Sequence, residues 1–92
     1  MITSFQHKGL KRLYEKDDGK LITQDLLAKL KRILTILDTA INEQALNLPG
    51  YNLHALKGEL KGYWSVMVSG NWRVIFRFED GNASKVDLID YH

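Results

Sequence analysis

The chain has 92 residues, of which 45% are hydrophobic and 26% charged, which bounds it to one folded domain with one core. It has no cysteine, so disulfides, zinc–thiolate centres and thiol nucleophiles are excluded, and no apolar run approaches the ~20 residues that span a bilayer. The net charge of +2 is unevenly placed: Lys57, Lys61, Arg73 and Arg77 stand against Glu59 alone within residues 54–77, whereas Lys85 stands against Glu79, Asp80, Asp87 and Asp90 in residues 78–92.

The opening "MITSFQHKGLK" lacks a continuous apolar stretch, so no signal peptide is expected and the protein is placed in the cytoplasm. "MITSF" reads as a short first strand. "HKGLKRLYEKD" follows, with Leu10, Leu13 and Tyr14 at helical spacing, and "DDGK" forms a turn. His7, beside Lys8, Lys11 and Arg12, is assigned to the helix start or the surface rather than to catalysis. Thr23 is placed to cap a second helix, in which Leu26, Leu30, Ile33, Leu34, Leu37 and Ile41 form one apolar stripe. Lys8, Lys11, Arg12, Lys29, Lys31 and Arg32 make basic helical faces.

After "NLPG" the period changes. "YNLHAL" reads as a strand. In "GYWSVMVSGNWRVIFRF", Trp64, Val66 and Val68 alternate with Tyr63, Ser65 and Met67, and Trp72, Val74, Phe76 and Phe78 alternate with Arg73, Ile75 and Arg77. This is a hairpin about "SGN" with one buried face, and both tryptophans are expected in the core. "EDGNAS" is a turn, and "KVDLID" is a last strand with Val86 and Leu88 inward. The expected class is α+β: a β-α-α-β-β-β order with two N-terminal helices on a mostly antiparallel sheet, one domain over residues 1–92.

Arg73 and Arg77 fall on the face away from the core. By itself an exposed strand arginine is ordinary. Here the preceding segment supplies His54 and Lys57, and the last strand brings Asp90, Tyr91 and His92, so these groups are expected to converge on one surface. There is no phosphate-cradling glycine loop, no serine–histidine–acid spacing and no clustered metal-ligand set, so neither cofactor nor metal is expected. RNA cleavage needs only a base for the 2′-hydroxyl, an acid for the leaving 5′-oxygen and cations for the phosphorane. Imidazole side chains suit the first two tasks, which makes His54 and His92 candidates, Arg73 and Lys57 suit phosphate, and Tyr91 suits a base or the sugar–phosphate.

These segments resemble a known family. "SFQHKGLKRLYEK", "LHALKG" followed by "GYWSVMVSGNWRVIFRF", and the final "DYH", in this order and length, are similar to the HigB-type toxins of the RelE/ParE superfamily of type II toxin–antitoxin systems. The resemblance implies the compact RelE-like fold and a ribosome-dependent, metal-independent endoribonuclease that cuts mRNA in the A site and stops translation. It implies a HigA-type helix-turn-helix antitoxin as partner, DNA contact only through that antitoxin, and no membrane partner. It places His54, Arg73, Asp90, Tyr91 and His92 in the catalytic site with Lys57 as an RNA contact, leaves acid and base open among His54, Asp90 and His92, and gives Arg77 no fixed counterpart. Arg77 enters as an RNA or phosphate contact through its shared face with Arg73. The same superfamily holds ParE-like gyrase poisons, so that activity and a non-catalytic RNA- or ribosome-binding module remain the alternatives.

Overall fold

The computed structural model describes residues 1–91. Helices α1 (Lys8–Lys16) and α2 (Gln24–Thr39) are followed by a 3-10 turn at Glu43–Leu46 and by four strands, β1 (His54–Ala55), β2 (Trp64–Ser69), β3 (Trp72–Glu79) and β4 (Asn82–Asp90). The strands form one antiparallel sheet in the order β1-β2-β3-β4. The expected first strand is reduced to two parallel bridges, Ile2 to Ala83 and Phe5 to Val86. The reason is a bulge in β4, where Lys85 has φ 51° and the pairing with β3 shifts register. The N-terminal segment bonds on both sides of that bulge, through Thr3 N–H to Ala83 O (2.8 Å) and Gln6 N–H to Val86 O (2.8 Å).

His7 caps α1 as expected of a helix-start residue: its Nδ1 accepts from the Leu10 amide at 3.1 Å. The helix ends at Asp17, which takes the left-handed conformation with φ 52°. Beyond it, Arg12 donates through Nε (3.2 Å) and Nη2 (2.6 Å) to Asp18, which holds that carboxyl below the usual range. Thr23 occupies the cap position of α2, but its side chain makes no capping bond, a correction to the expected role. Leu26, Leu30, Ile33, Leu34 and Leu37 are buried as the stripe requires, whereas Ile41 is 84% exposed. The helix stops at Thr39 and Ala40 is extended, so the four-residue step from Leu37 no longer returns to the core.

The helices cover one face of the sheet. Leu10, Leu13, Leu30, Ile33 and Leu37 meet Val66, Val74, Phe76, Ala83 and Val86 in one apolar cluster, with Trp64 and Phe78 packed at its margin. Trp72 departs from the core position expected for it and is 36% exposed. It shares the alternation of Val74 and Phe76, but pairs with Ser69 and Asp90 at the end of the sheet, where core cover has run out. The turn between β3 and β4 is the Asp80–Gly81 pair, with φ 53° and 78°. Both residues lie in the left-handed region that a two-residue hairpin demands, so the strands extend further into "EDGNAS" than expected. Among the described residues no helix is long and apolar enough to cross a membrane.

One polar knot ties the first residues to the helices. The half-buried Asp38 accepts from the Ile2 amide (3.1 Å) and the Tyr14 hydroxyl (2.7 Å) through one oxygen. The hydrogen bond from Tyr14, then that from Ile2, holds the Asp38 carboxyl below its ordinary value, and the same bond raises the Tyr14 phenol above its own. A depressed folded value makes this contribution present above the unfolded carboxylate range and lost as pH falls through the folded value. Asp38→Ala is therefore expected to cost about 1–2 kcal/mol at neutral pH and to flatten that part of the acid dependence, checked by urea unfolding across the acid range. An unchanged acid limb in the variant would contradict it.

Candidate RNA-cleavage site

The sheet face away from the helices is the one that carries the candidate groups. Paired residues of antiparallel strands project to the same side, so the register lines up two rows. One runs His54, Ser65, Ile75, Asp87 across all four strands, and the other runs Met67, Arg73, Ile89 across β2, β3 and β4. This face is not open over its middle, as the alternation alone suggests: Ser65 is 2% exposed, Ile75 3% and Leu56 7%. Ile75 lies outside the main apolar cluster, so this side has a small apolar floor of its own. The amide of Leu56 donates to Tyr63 O at 2.9 Å and closes the loop that carries Lys57.

His54 stands exposed on the edge strand beside this floor. Its Nδ1 lies 2.9 Å from the carbonyl oxygen of Asn52. A carbonyl only accepts, so Nδ1 carries the proton and, in the neutral ring, Nε2 carries the lone pair. That is the tautomer a general base needs. His7 shows the reverse: its Nδ1 accepts from an amide, so its neutral form keeps the proton on Nε2. The two imidazoles are thus distinguished by their backbone partners, one a helix cap and one a group with its lone pair on Nε2.

Arg73 lies two strands from His54 and one pair step along. At roughly 4.8 Å per strand and 3.4 Å per residue their α-carbons stand about 12 Å apart, so the two side chains meet across a substrate rather than touch. Nη1 of Arg73 donates to Gly70 O (2.7 Å) and Trp72 O (3.1 Å), which holds the guanidinium against the β2–β3 turn. Lys57 is exposed on the loop after β1. Arg77 is half-buried, 5.6 Å from the Tyr63 ring centroid and 3.9 Å from Glu79.

The C-terminal groups divide. Asp90 pairs with Trp72, so the register puts it toward the side that bears Val74 and Phe76, not the side of Arg73. Tyr91 prolongs the ladder through its amide to Asn71 O at 2.7 Å, and the alternation returns it to the side of Arg73, where it is 49% exposed. His92 lies outside the described residues. The register therefore groups His54, Arg73, Arg77 and Tyr91 on one face, with Lys57 on the adjoining loop and Asp90 at the rim. Tyr63, which packs beside Arg77, was legible only as an alternating strand residue, since a ring–guanidinium contact across strands leaves no local signal.

A groove of about 350 Å3 between the helices, lined by Leu13, Tyr14, Leu34 and Asp38, lies on the opposite side and carries none of these groups. Among the described residues no cluster of three or more His, Asp or Glu is gathered. The arrangement offers an imidazole lone pair, a fixed guanidinium and an exposed phenol around a basic loop, which suits proton transfer beside a bound phosphodiester.

Residues 3–92 match the family model described as "RelE-like toxin of type II toxin-antitoxin system HigB". The chain is 42% identical over 92 residues to "Endoribonuclease HigB" of Proteus vulgaris, with 100% of both chains covered. It is 39% identical over 85 residues to "Toxin HigB-1" of Vibrio cholerae, covering 90% of each. Among solved structures it is similar to a YafQ variant from E. coli, with TM-score 0.60 and 26% identity, over 95% of this chain and 87% of that one.

Proposed function

This chain belongs to the HigB family of RelE-like type II toxins, and on that premise we propose that it is an endoribonuclease that cuts mRNA in the ribosomal A site without a metal ion and so stops translation. The observation that carries the reading is the full-length 42% identity to a relative named as an endoribonuclease, with the His54 ring held through Nδ1 by the Asn52 carbonyl on the same sheet face as Arg73. The ribose 2′-hydroxyl gives its proton to a base and attacks the adjacent phosphorus. The bond to the 5′-oxygen breaks, and that oxygen takes a proton from an acid, leaving a 2′,3′-cyclic phosphate and a free 5′-hydroxyl. His54 supplies the lone pair that the first transfer needs. Arg73 and Lys57 meet the charge that develops on the phosphorane. Tyr91 joins them from the end of the last strand with Asp90 at the rim, His92 is the next residue in the chain, and the assignment of acid and base stays open among His54, Asp90 and His92.

The group that directs the mRNA is incomplete in the free protein. His54 and Arg73 stand about 12 Å apart on the sheet face, so the path of the mRNA on the ribosome supplies part of the geometry. Purified protein is expected to cut naked RNA poorly, to cut mRNA on ribosomes, and to do so in EDTA titrated to leave the ribosome intact. Mapping mRNA 5′ ends after induction is the test. Rapid cleavage of free RNA at matched concentration, or a divalent-ion requirement separable from ribosome integrity, would contradict it. Growth arrest with intact mRNA and gyrase-linked DNA breaks would instead support the gyrase-poison reading, and binding to ribosomes without cleavage the non-catalytic module.

The family description, a toxin of a type II toxin-antitoxin system, supports an antitoxin partner, and the reading extends to one of HigA type with a helix-turn-helix, which neutralises the toxin and brings it to DNA only indirectly. The working place of a protein that acts on ribosomes is the cytoplasm.

A further inference from the structure

We propose that Arg77 is a positioning residue, a clamp that fixes the loop between His54 and Tyr63. The catalytic part of this inference rests on the nuclease reading above. The register Trp64 to Phe76 sets Tyr63 across from Arg77 on the face away from the helices. The guanidinium lies 5.6 Å from the Tyr63 ring centroid on one side. On the other it lies against the backbone of Gly62: a β-carbon there would stand 2.8 Å from Nη1, 3.1 Å from Nη2 and 3.2 Å from Cζ. Gly62 has φ 98°, a conformation other residues rarely adopt, so the same glycine provides both the turn and the space. Glu79 lies 3.9 Å from Nη2.

The planar guanidinium is thus flanked by a ring and a peptide, with a carboxylate beside it. Those contacts pack Arg77 against the end of the loop, whereas Arg73 donates through Nη1 to two turn carbonyls. What the clamp holds is the return end of the loop. Tyr63 O accepts from Leu56 N–H (2.9 Å), Tyr63 N–H donates to Leu60 O (3.0 Å), and Lys61 N–H donates to Gly58 O (3.1 Å). Lys57 lies inside this closed segment and His54 sits two residues before Leu56. A lysine at position 77 keeps the charge but loses the flat group that fits the slot.

The experiment compares Arg77→Lys, Arg77→Gln, Tyr63→Phe and Tyr63→Leu by cleavage of ribosome-bound mRNA, by the salt dependence of RNA binding, and by amide hydrogen exchange. Arg77→Lys, Arg77→Gln and Tyr63→Leu are expected to lower kcat roughly ten- to hundredfold through misplacement of the loop, with KM little changed. The salt slope should stay as in the natural protein, since a residue that acts through the loop neutralises no phosphate. The amides of Leu56, Lys61 and Tyr63 should exchange faster while those of the β3 core do not. Tyr63→Phe should retain activity and slow exchange. The inference is overturned if Arg77→Lys keeps near-normal kcat while Arg77→Gln reduces the salt slope by about one unit, the mark of one phosphate no longer neutralised. Unchanged exchange at the three loop amides also overturns it, and decides the clamp even if the natural protein proves not to cleave mRNA.

Discussion

Arg73→Ala is expected to abolish growth arrest while leaving a folded protein. Arg73 is half-buried on the face away from the helices, paired with Met67 and Ile89, so its loss opens no cavity in the apolar cluster. Its two bonds to the carbonyls of Gly70 and Trp72 are replaced by water at a cost of about 1 kcal/mol. The same bonds hold the guanidinium still before substrate arrives, which is what makes a donor effective where charge develops. Removing one such donor costs roughly 3–4 kcal/mol, a factor of about 100–1,000 in rate. Arg73→Lys should recover only part of it, because an ammonium cannot span both carbonyls and a phosphate in one plane. Cleavage on ribosomes and thermal unfolding are measured on the same preparations. Full toxicity of a well-expressed Arg73→Ala protein would remove Arg73 from the reaction.

Deleting Tyr91 and His92 is expected to abolish cleavage with a loss of stability of only about 1 kcal/mol, the worth of a single backbone hydrogen bond. The last core residues, Val86 and Leu88, remain, and the β3–β4 pairing through Asp90 is kept. Among the described residues, the deletion removes the bond from Tyr91 N–H to Asn71 O. That bond carries the sheet's order one residue past the strand and sets Tyr91 over the face of Arg73. His92→Gln should be slower than the natural protein, with an altered pH–rate profile if the imidazole moves a proton in the rate-limiting step. A truncated protein that still cuts mRNA at the natural rate would take the terminus out of the site.

The candidate site was legible in the sequence as a set of residue types more than as a geometry. Alternation put Arg73 and Arg77 on one side of β3, and the register agrees. The same alternation failed for Trp72, because it reports which side of a strand a residue takes and not how far the covering layer extends. It failed in the other direction for Ser65 and Ile75, which are buried on the face expected to be open. Asp90 shows a third limit. Side-by-side residues such as Asp90 and Tyr91 alternate across a strand, so neighbours in sequence are separated by the sheet unless the chain turns.

What the sequence determined by itself is local. The helical stripe of α2, the period-two run from Trp64 to Phe78, the Asp-Gly turn and the His7 helix start follow from spacing and from the conformations that single residues allow, and the order of the segments was enough for the family. What the tertiary structure decided depends on segments far apart meeting. The bulge at Lys85 breaks the N-terminal strand into two bridges, the Asn52 carbonyl selects the tautomer of His54, and the slot between Tyr63 and Gly62 engages Arg77. Each is set by a pairing register or a loop closure, which brings two groups together only after the whole sheet has formed, and no period in the chain encodes that distance.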